Sequence, residues 1–294
     1  MAESIQSSEL ILNDDGSIYH LHLRPEHISD KFILVGDQGR VKLVASFFDH
    51  IEFEIQNREF FTITGTYNGE RITVLSTGIG TDNIDIVINE LDALVNIDLK
   101  TRTVKDEHKS LTFVRIGTSG GLQKFAETGT YLLTEKSIGL DGMLNFYADI
   151  MSVTDKEFEE AFMSYMNWNK RLATPYVVDI APELFEMLYD EQKVVKGVTM
   201  AAPGFYGPQG RILRLKTADP EINNKVEKFD FNGHKITNYE MESSALYGLS
   251  KMLGHKAATI CLIIANRVNK TYLPDYKVKI KDLIKYTLDK LTGK

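Results

Sequence analysis

The sequence contains a single cysteine, Cys261, among its 294 residues. An intramolecular disulfide is therefore impossible, and a reducing compartment is expected. Cys261 lies in the apolar run 259–264, where a thiol is expected to be buried and inert rather than nucleophilic. No apolar run approaches the roughly 20 residues that a membrane span needs. The first residues also lack the basic-then-apolar pattern of a secretory signal. These absences predict a cytoplasmic protein with no membrane partner.

The chain also has fewer basic residues than acidic ones. The 34 lysines and arginines stand against 41 acidic residues, which leaves a net charge of −7. An acidic surface repels the phosphates of nucleic acid, so no nucleic-acid partner is expected, and arginines that serve a small anion must be concentrated locally. The chain has seven prolines and no proline-rich linker, internal repeat or low-complexity tract. These features predict one domain over residues 1–294.

Segments of strand character alternate with segments of helical periodicity along most of the chain. The strand-like segments are 32–35, 51–68, 71–76, 111–116, 131–137, 194–200, 235–239 and 257–265, and the helical ones are 40–48, 83–95, 220–229, 243–253 and 275–291. This alternation predicts an α/β fold, a single-domain three-layer sandwich with a central mixed β-sheet flanked by helices. The charged and aromatic segment 155–171, which contains the only tryptophan, Trp168, is expected to form an extra helix.

Three arginines with anion-binding potential lie near turns. Gly36 and Arg40 belong to a Gly-Asp-x-x-Arg turn, Arg115 and Thr118 flank a predicted glycine turn at 117–121, and Arg58 lies in the strand-rich segment. Glycines let the backbone approach an anion, helix N-termini favour negative charge, and guanidinium groups match phosphate oxygens. Each motif alone is weak, because such turns and arginines are common. Neither a Walker A loop nor a dinucleotide fingerprint is present.

Two further motifs have the chemistry of a nucleoside site. Glu240, Met241 and Glu242 leave a predicted strand as a helix begins, and a carboxylate there can accept hydrogen bonds from the vicinal hydroxyls of a ribose. The alternative is an ordinary helix start, in which glutamate favours the helix dipole. Gln209 and Arg211 offer donors and an acceptor that suit the edge of uracil. Phe205, which precedes them, can lie against a flat base. An exposed Gly/Pro loop is the alternative there.

Together and in this order, the motifs resemble those of the uridine phosphorylase branch of the nucleoside phosphorylase family, from about residue 19 to residue 267. The resemblance implies a pentosyltransferase that splits uridine reversibly into uracil and ribose 1-phosphate in pyrimidine salvage, with inorganic phosphate as co-substrate and no cofactor. It implies that phosphate is bound by Gly36, Arg40, Arg58, Arg115 and Thr118, the ribose by His20, Glu240, Met241 and Glu242, and the base by Phe205, Gln209 and Arg211.

The resemblance also implies an oligomer. In relatives, the counterparts of His20 and Arg58 reach into the neighbouring subunit's site, which makes a homodimer the minimal active unit and a hexamer, a trimer of dimers, the alternative assembly. A potassium ion between subunits, near Glu59, Ile72 and Ser76, is a further implication. The other histidines share no metal-like spacing, so no other metal centre is expected.

Two alternative functions remain open from sequence. The first is a purine nucleoside phosphorylase or nucleosidase. Those branches usually have an aspartate after the strand matching 257–265, and this chain has Asn266 instead. The second is a non-catalytic nucleoside-binding protein on the same fold, since a fold never proves an activity.

Overall fold

The computed structural model of the protein describes residues 4–294. Its strands are β1 (Lys31–Val35), β2 (His50–Asn57), β3 (Phe60–Tyr67), β4 (Glu70–Ser76), β5 (Ile97–Asp98), β6 (Thr103–Val104), β7 (Thr112–Gly121), β8 (Tyr131–Gly139), β9 (Tyr176–Asp179), β10 (Val194–Ala201), β11 (Asp230–Phe231), β12 (His234–Glu240), β13 (Lys256–Asn266) and β14 (Thr271–Tyr272). Its α-helices are α1 (Gln38–Ala45), α2 (Thr81–Asn96), α3 (Lys156–Met166), α4 (Pro182–Leu188), α5 (Ile222–Lys228), α6 (Ser243–Met252) and α7 (Lys277–Leu291). Short 3-10 turns lie at Pro25–His27, Met143–Phe146, Ile150–Ser152 and Gly207–Gln209.

A mixed sheet forms the centre of the fold, in the order β11-β12-β10-β8-β13-β7-β1-β4-β3-β2. Strands β4, β1, β7 and β13 are parallel, and so are β8, β10 and β12. The two parallel groups run in opposite directions, because β13 pairs antiparallel with β8. The predicted α/β fold with a central mixed sheet flanked by helices is confirmed. Residues 1–3 lie outside the described range, so the predicted domain start at residue 1 is not tested.

The carboxyl-terminal ends of β7 and β12 pair with each other. Asn238 pairs with Gly121 and Tyr239 with Gly120 in an antiparallel contact that joins the two parallel groups a second time. Since ligands of α/β sheets bind outside the carboxyl ends of parallel strands, this contact brings the carboxyl ends of both groups to one place. Most of the predicted site residues lie in, or just after, strands β1, β7, β10 and β12.

The helices form two groups on the sheet. Helix α6 packs against α2, whereas α7 packs against α1 and α4. Residues 243–250 of α6 are all buried, so this helix runs through the core and its amino terminus opens beside the end of β12. None of the helices within residues 4–294 is long and apolar enough to cross a membrane.

Two local predictions are wrong. The predicted glycine turn at 117–121 is the end of strand β7, because its backbone is paired with β13 through Gly121. A Cβ on Gly117 would lie 2.6 Å from Arg115 Nη1 and 2.9 Å from Cys261 Sγ, so glycine provides close packing there and not a turn. The segment 51–68 forms two strands, with a turn at Arg58, whose φ is 54°.

The segment 155–171 contains the expected helix. Asp155 caps α3 by accepting a hydrogen bond from the backbone N–H of Phe158, and the helix ends at Asn167 in the left-handed conformation. Phe158, Phe162 and Met166 are the buried face of α3. Strand β9 and helix α4 follow it, and neither was predicted.

Candidate active site

A cavity of about 790 Å³ opens at the carboxyl ends of β1, β7 and β12. Ten of the residues predicted to bind phosphate, ribose or base line it, namely Gly36, Arg40, Arg115, Thr118, Phe205, Gln209, Arg211, Glu240, Met241 and Glu242. Its volume lies in the range usual for small-molecule sites. Motifs that are more than 200 residues apart in the chain thus meet in one space.

Arg115 and Glu242 form a buried ion pair in the lining of this cavity. Arg115 Nη2 lies 2.5 Å from Glu242 Oε2, and both side chains are almost completely buried. The other oxygen of Glu242 accepts a hydrogen bond from the backbone N–H of Gly80 at 2.8 Å. Because a buried pair is costly to break, both groups are held in fixed positions before any ligand arrives.

Arg40 is the second cation of this end of the cavity. It lies in the first turn of α1, as predicted, and its Nη1 donates to the carbonyl oxygen of Ile116 at 3.2 Å. Burial, with the nearby charge of Arg115, lowers the pKa of Arg40. Two guanidinium groups that repel each other, beside the amino terminus of a helix, form a site that an anion would stabilise.

Glu240 has a different environment from Glu242. Its carboxylate accepts hydrogen bonds from the backbone N–H groups of Glu242 and Ser243 and, at 2.5 Å, from the Ser243 hydroxyl. Burial and the charge of Glu242 raise the pKa of Glu240 to about 7. Its oxygens therefore satisfy the free amides at the start of the buried helix α6. Ribose binding by Glu240 stays a prediction.

At the other end of the cavity, Gln209 is held by two arginines. Arg211 Nη1 donates to Gln209 Oε1 at 2.6 Å, and Arg267 Nη2 donates to the same oxygen at 3.2 Å. The Arg211 guanidinium also lies 3.7 Å from the centre of the Phe205 ring. Since two donors occupy the amide oxygen, the amide nitrogen of Gln209 is left to donate to a ligand.

Arg267 and Tyr239 are members of this end of the site that were not predicted. Arg267 also donates to the backbone carbonyl of Gln209, and its guanidinium lies 4.9 Å from the centre of the Tyr239 ring. Tyr239 lines the cavity, and burial raises its pKa to about 12. The usable signal was the position of Arg267 at the end of a buried strand, where side chains commonly face a ligand.

A model of the Phosphorylase superfamily matches residues 31–279. The chain belongs to this superfamily. It is 28% identical over 281 residues to a uridine phosphorylase of Thermococcus kodakarensis, with 92% of this chain and 86% of that protein covered. It is 26% identical over 249 residues to a DeoD-type purine nucleoside phosphorylase of Listeria welshimeri, with 83% and 85% covered. A solved Trypanosoma brucei nucleoside phosphorylase, described as showing uridine phosphorylase activity, has a TM-score of 0.86 and 28% identity, with 97% and 100% covered.

Two of the predicted ligand-binding residues, His20 for the ribose and Arg58 for the phosphate, lie outside the cavity. His20 Nδ1 is 2.6 Å from Glu90 Oε1, and its carbonyl accepts a hydrogen bond from the Asn57 side chain at 2.7 Å. Arg58 is exposed and stacks on Tyr19, 5.4 Å from the ring centre. Both side chains thus belong to one surface cluster formed by residues 19–20 and 57–58.

Two of the three predicted potassium residues, Glu59 and Ser76, are in contact. The Ser76 hydroxyl donates to the Glu59 carbonyl at 2.9 Å and accepts from the backbone N–H of Phe61 at 2.8 Å. Ile72 is buried in the same strand, β4, as Ser76. The Ser76 side chain therefore has both a donor and an acceptor partner within the subunit. Potassium binding stays a prediction.

One group in residues 4–294 has the composition of a metal site, formed by Asp92, His108 and His255. His255 is fully buried, with Nε2 3.2 Å from Asp92 Oδ1. Its Nδ1 accepts the backbone N–H of Leu111 at 3.1 Å. A histidine that binds a metal through one ring nitrogen usually donates a hydrogen bond from the other. Since Nδ1 accepts a hydrogen bond here, a structural role is favoured for this histidine.

Proposed function

We propose that this protein catalyses the reversible phosphorolysis of uridine, in which phosphate displaces uracil from C1′ and forms ribose 1-phosphate. The observation that carries the proposal is that three kinds of group line one cavity. They are two guanidinium groups suited to an anion, a carboxylate held by one of them, and a separate amide–arginine pair. These three kinds of group match the chemistry of phosphate, ribose and uracil.

Arg40 and Arg115 are the phosphate ligands in this proposal, with Thr118 and the backbone at Gly36 beside them. Their charges bring phosphate to a fixed position and so turn an encounter of two solutes into a reaction within one complex. Arg115 also touches Glu242. In the proposed complex, Arg115 contacts both the phosphate and the carboxylate that binds the ribose. It therefore positions the attacking phosphate oxygen relative to the sugar.

Glu242 binds the vicinal hydroxyls of the ribose, and Met241 packs against the sugar. The transition state resembles an oxocarbenium ion, so its positive charge is stabilised by the nearby carboxylate more than the neutral substrate is. Glu242 is held on its far side by Arg115 and by the Gly80 amide. The Glu242 carboxylate therefore moves little when positive charge develops on the sugar.

Uracil leaves with growing negative charge on N1 and on its two carbonyl oxygens. The Gln209 amide nitrogen and the Arg211 guanidinium donate to that charge, and Phe205 lies against the ring. Donors that bind the transition state better than the substrate raise turnover. A separate acid for the leaving group is then unnecessary.

The assembly that we propose is a homodimer as the minimal active unit. The cluster at residues 19–20 and 57–58 lies at the surface of one subunit, outside the cavity. In the dimer, His20 and Arg58 complete the partner's site at the ribose and the phosphate. The cytoplasm suits such an enzyme and its free thiol, Cys261.

A purine substrate is the second candidate, because DeoD-type relatives are among the matches. Asn266 is the residue where the purine branches usually have an acid. Its amide nitrogen donates to the carbonyls of Gln123 and Ala126, and its oxygen accepts from the N–H groups of Val268 and Asn269. An amide whose bonds are taken up within the protein cannot protonate a purine, which favours uridine.

The test is cleavage of uridine followed by ultraviolet absorbance, with and without phosphate, and with inosine in parallel. Phosphate-dependent release of uracil is the expected result. Release without phosphate would indicate a hydrolase, and cleavage of inosine alone would indicate a purine enzyme. Saturable binding of uridine without turnover would show that the protein is a nucleoside-binding protein and not an enzyme.

A further inference from the structure

A second and larger cavity, of about 1160 Å³, is lined in part by the segment 203–219, which carries Phe205, Gln209 and Arg211. Its walls come from the end of α3 and the following turn (residues 166–172) and from residues 206–219. We call it the outer cavity. The phosphorolysis proposed above makes no use of it, although Arg211 lines both cavities.

The floor of the outer cavity is apolar. Leu140, Met166, Trp168 and Ile222 contribute to its lining. The indole N–H of Trp168 donates to the Ala173 carbonyl at 2.9 Å, so its polar atom is satisfied and its ring is available as a flat surface. Such a wall binds a flat apolar group by burial of area and by stacking.

The rim of the outer cavity is strongly basic. Lys170, Arg211, Arg214, Lys216 and Lys225 line it, and the one acidic residue in the lining is Asp219. Asp219 is already paired with Lys225 at 2.6 Å. The remaining four cations have no ion-pair partner within 4.0 Å in the part of the chain that the structure describes.

This concentration of cations contrasts with the chain as a whole, whose net charge is −7. The run 211–216 consists of three basic and three apolar residues, and in it Leu213 is 73% exposed and Leu215 is 85% exposed. Exposed leucines beside unpaired cations match a ligand that has both an apolar and an anionic part.

We propose that the outer cavity binds a flat aromatic anion of the size of a nucleoside 5′-phosphate, and that Arg211 couples this site to the base end of the active site. The aromatic part lies against Trp168, and the anionic part meets Arg214 and Lys216. Arg211 changes its contacts when the outer cavity is filled. By linkage, a ligand there and uridine then alter each other's affinity by the same factor.

Trp168 is the only tryptophan of the chain, so its fluorescence reports on the outer cavity. The experiment is a titration of the full-length protein with adenosine 5′-monophosphate, with adenosine alone and with inorganic phosphate alone. Saturable quenching by the monophosphate, with weak or no quenching by either part alone, is the expected result. Absence of quenching, as when a second copy of the chain covers the cavity in solution, would overturn the proposal.

Two variants separate the outer cavity from the active site. The double variant R214Q/K216Q is expected to weaken monophosphate binding about fivefold or more. Arg40→Gln, which alters the phosphate end of the active site, is expected to leave the quenching unchanged. Lys228→Gln is the matched control, since Lys228 is an exposed cation at the end of α5 and outside the lining. Equal affinity in R214Q/K216Q and in Lys228→Gln would overturn the assignment.

Coupling through Arg211 has its own readout, the KM for uridine with and without saturating monophosphate. The KM is expected to change in the parent protein and not in R214Q/K216Q. A change that persists in R214Q/K216Q would mean direct competition in the active site and would overturn the coupling. If uridine is not cleaved at all, the fluorescence titration still tests the binding site.

Discussion

The two ends of the active-site cavity are built from different kinds of structure. Arg115 lies in a strand paired on both sides, and Glu242 lies at the start of the buried helix α6. In contrast, Phe205 and Arg211 belong to the segment 203–219, whose one regular element is the 3-10 turn Gly207–Gln209. Phe205 is 49% exposed, whereas Arg115 is 5% exposed.

In the proposed reaction, this difference separates chemistry from selection. Groups that would orient phosphate and stabilise the sugar cation need fixed positions, and core strands supply them without added ordering on binding. Of the groups that would select the base, Gln209 is buried, whereas Phe205 and Arg211 lie on an irregular segment, where substitutions cost little stability. The comparison makes four predictions, from the largest expected effect to the smallest.

Replacement of Arg115 by methionine should damage both activity and stability. It leaves Glu242 as a buried, unpaired charge, for which a loss of about 3–5 kcal/mol of unfolding free energy is expected. Uridine turnover should fall by on the order of 10³, since a phosphate donor is also lost. Urea unfolding and steady-state kinetics measure the two effects.

The double variant R115M/E242M is the control for this prediction. Removal of both charges should restore most of the stability and none of the activity. If the single variant is as stable as the parent protein, the ion pair does not hold this end of the site in the way described.

Arg211→Ala should affect turnover without affecting the fold. Loss of one donor to the leaving uracil is expected to lower kcat on the order of 10²–10³, with little change in the unfolding midpoint because Arg211 lies in an irregular segment. Arg171→Ala, which removes an exposed arginine that lines neither cavity, should leave kcat unchanged. Unchanged turnover in Arg211→Ala would refute its role at the leaving group.

Arg267→Met should have a smaller effect of a different kind. Arg267 holds Gln209 by its oxygen and its backbone carbonyl, so the variant lets the amide rotate away from the base. The KM for uridine should rise roughly tenfold, with a smaller change in kcat. A fall in kcat as large as that of Arg211→Ala would instead indicate direct contact with the leaving group.

The smallest effect is expected at Cys261, in the core strand β13. Burial raises the pKa of this thiol to about 12, so at pH 8 only about 10⁻⁴ of it is thiolate. Iodoacetamide should leave native protein unmodified by mass spectrometry and add one label in denaturant. Rapid labelling of the native protein would show that strand β13 becomes accessible to solvent. The core strands around Arg115 would then not be as fixed as we describe.

Long elements of the fold could be predicted from the sequence, because apolar residues recur at strand or helix spacing. Strands β1 and β13 and helices α2 and α7 are confirmed near their predicted bounds. Two local predictions failed for reasons outside the local pattern. The glycines at 117–121 continue a strand because β13 pairs with them, and β2 and β3 are separated at Arg58, where the local sequence has no glycine.

Most candidate site residues could also be named from sequence motifs, but their roles could not be separated there. Glu240 and Glu242 are two residues apart and chemically identical. Only the position of the α6 amino terminus shows that Glu240 binds backbone amides while Glu242 pairs with Arg115. Arg267 was overlooked because its importance comes from Gln209, which is 58 residues away in the chain.

The sequence by itself determined the class of fold and the inventory of groups that the proposed reaction uses: three arginines, a carboxylate pair, and a glutamine–arginine pair. It could do so because periodicity and chemical type are local properties of a chain. The tertiary structure decided which of those groups share a cavity, which carboxylate pairs with Arg115, and how Gln209 is oriented. These are properties of pairs of residues, and strand pairing and burial decide such pairs only when the whole chain has folded.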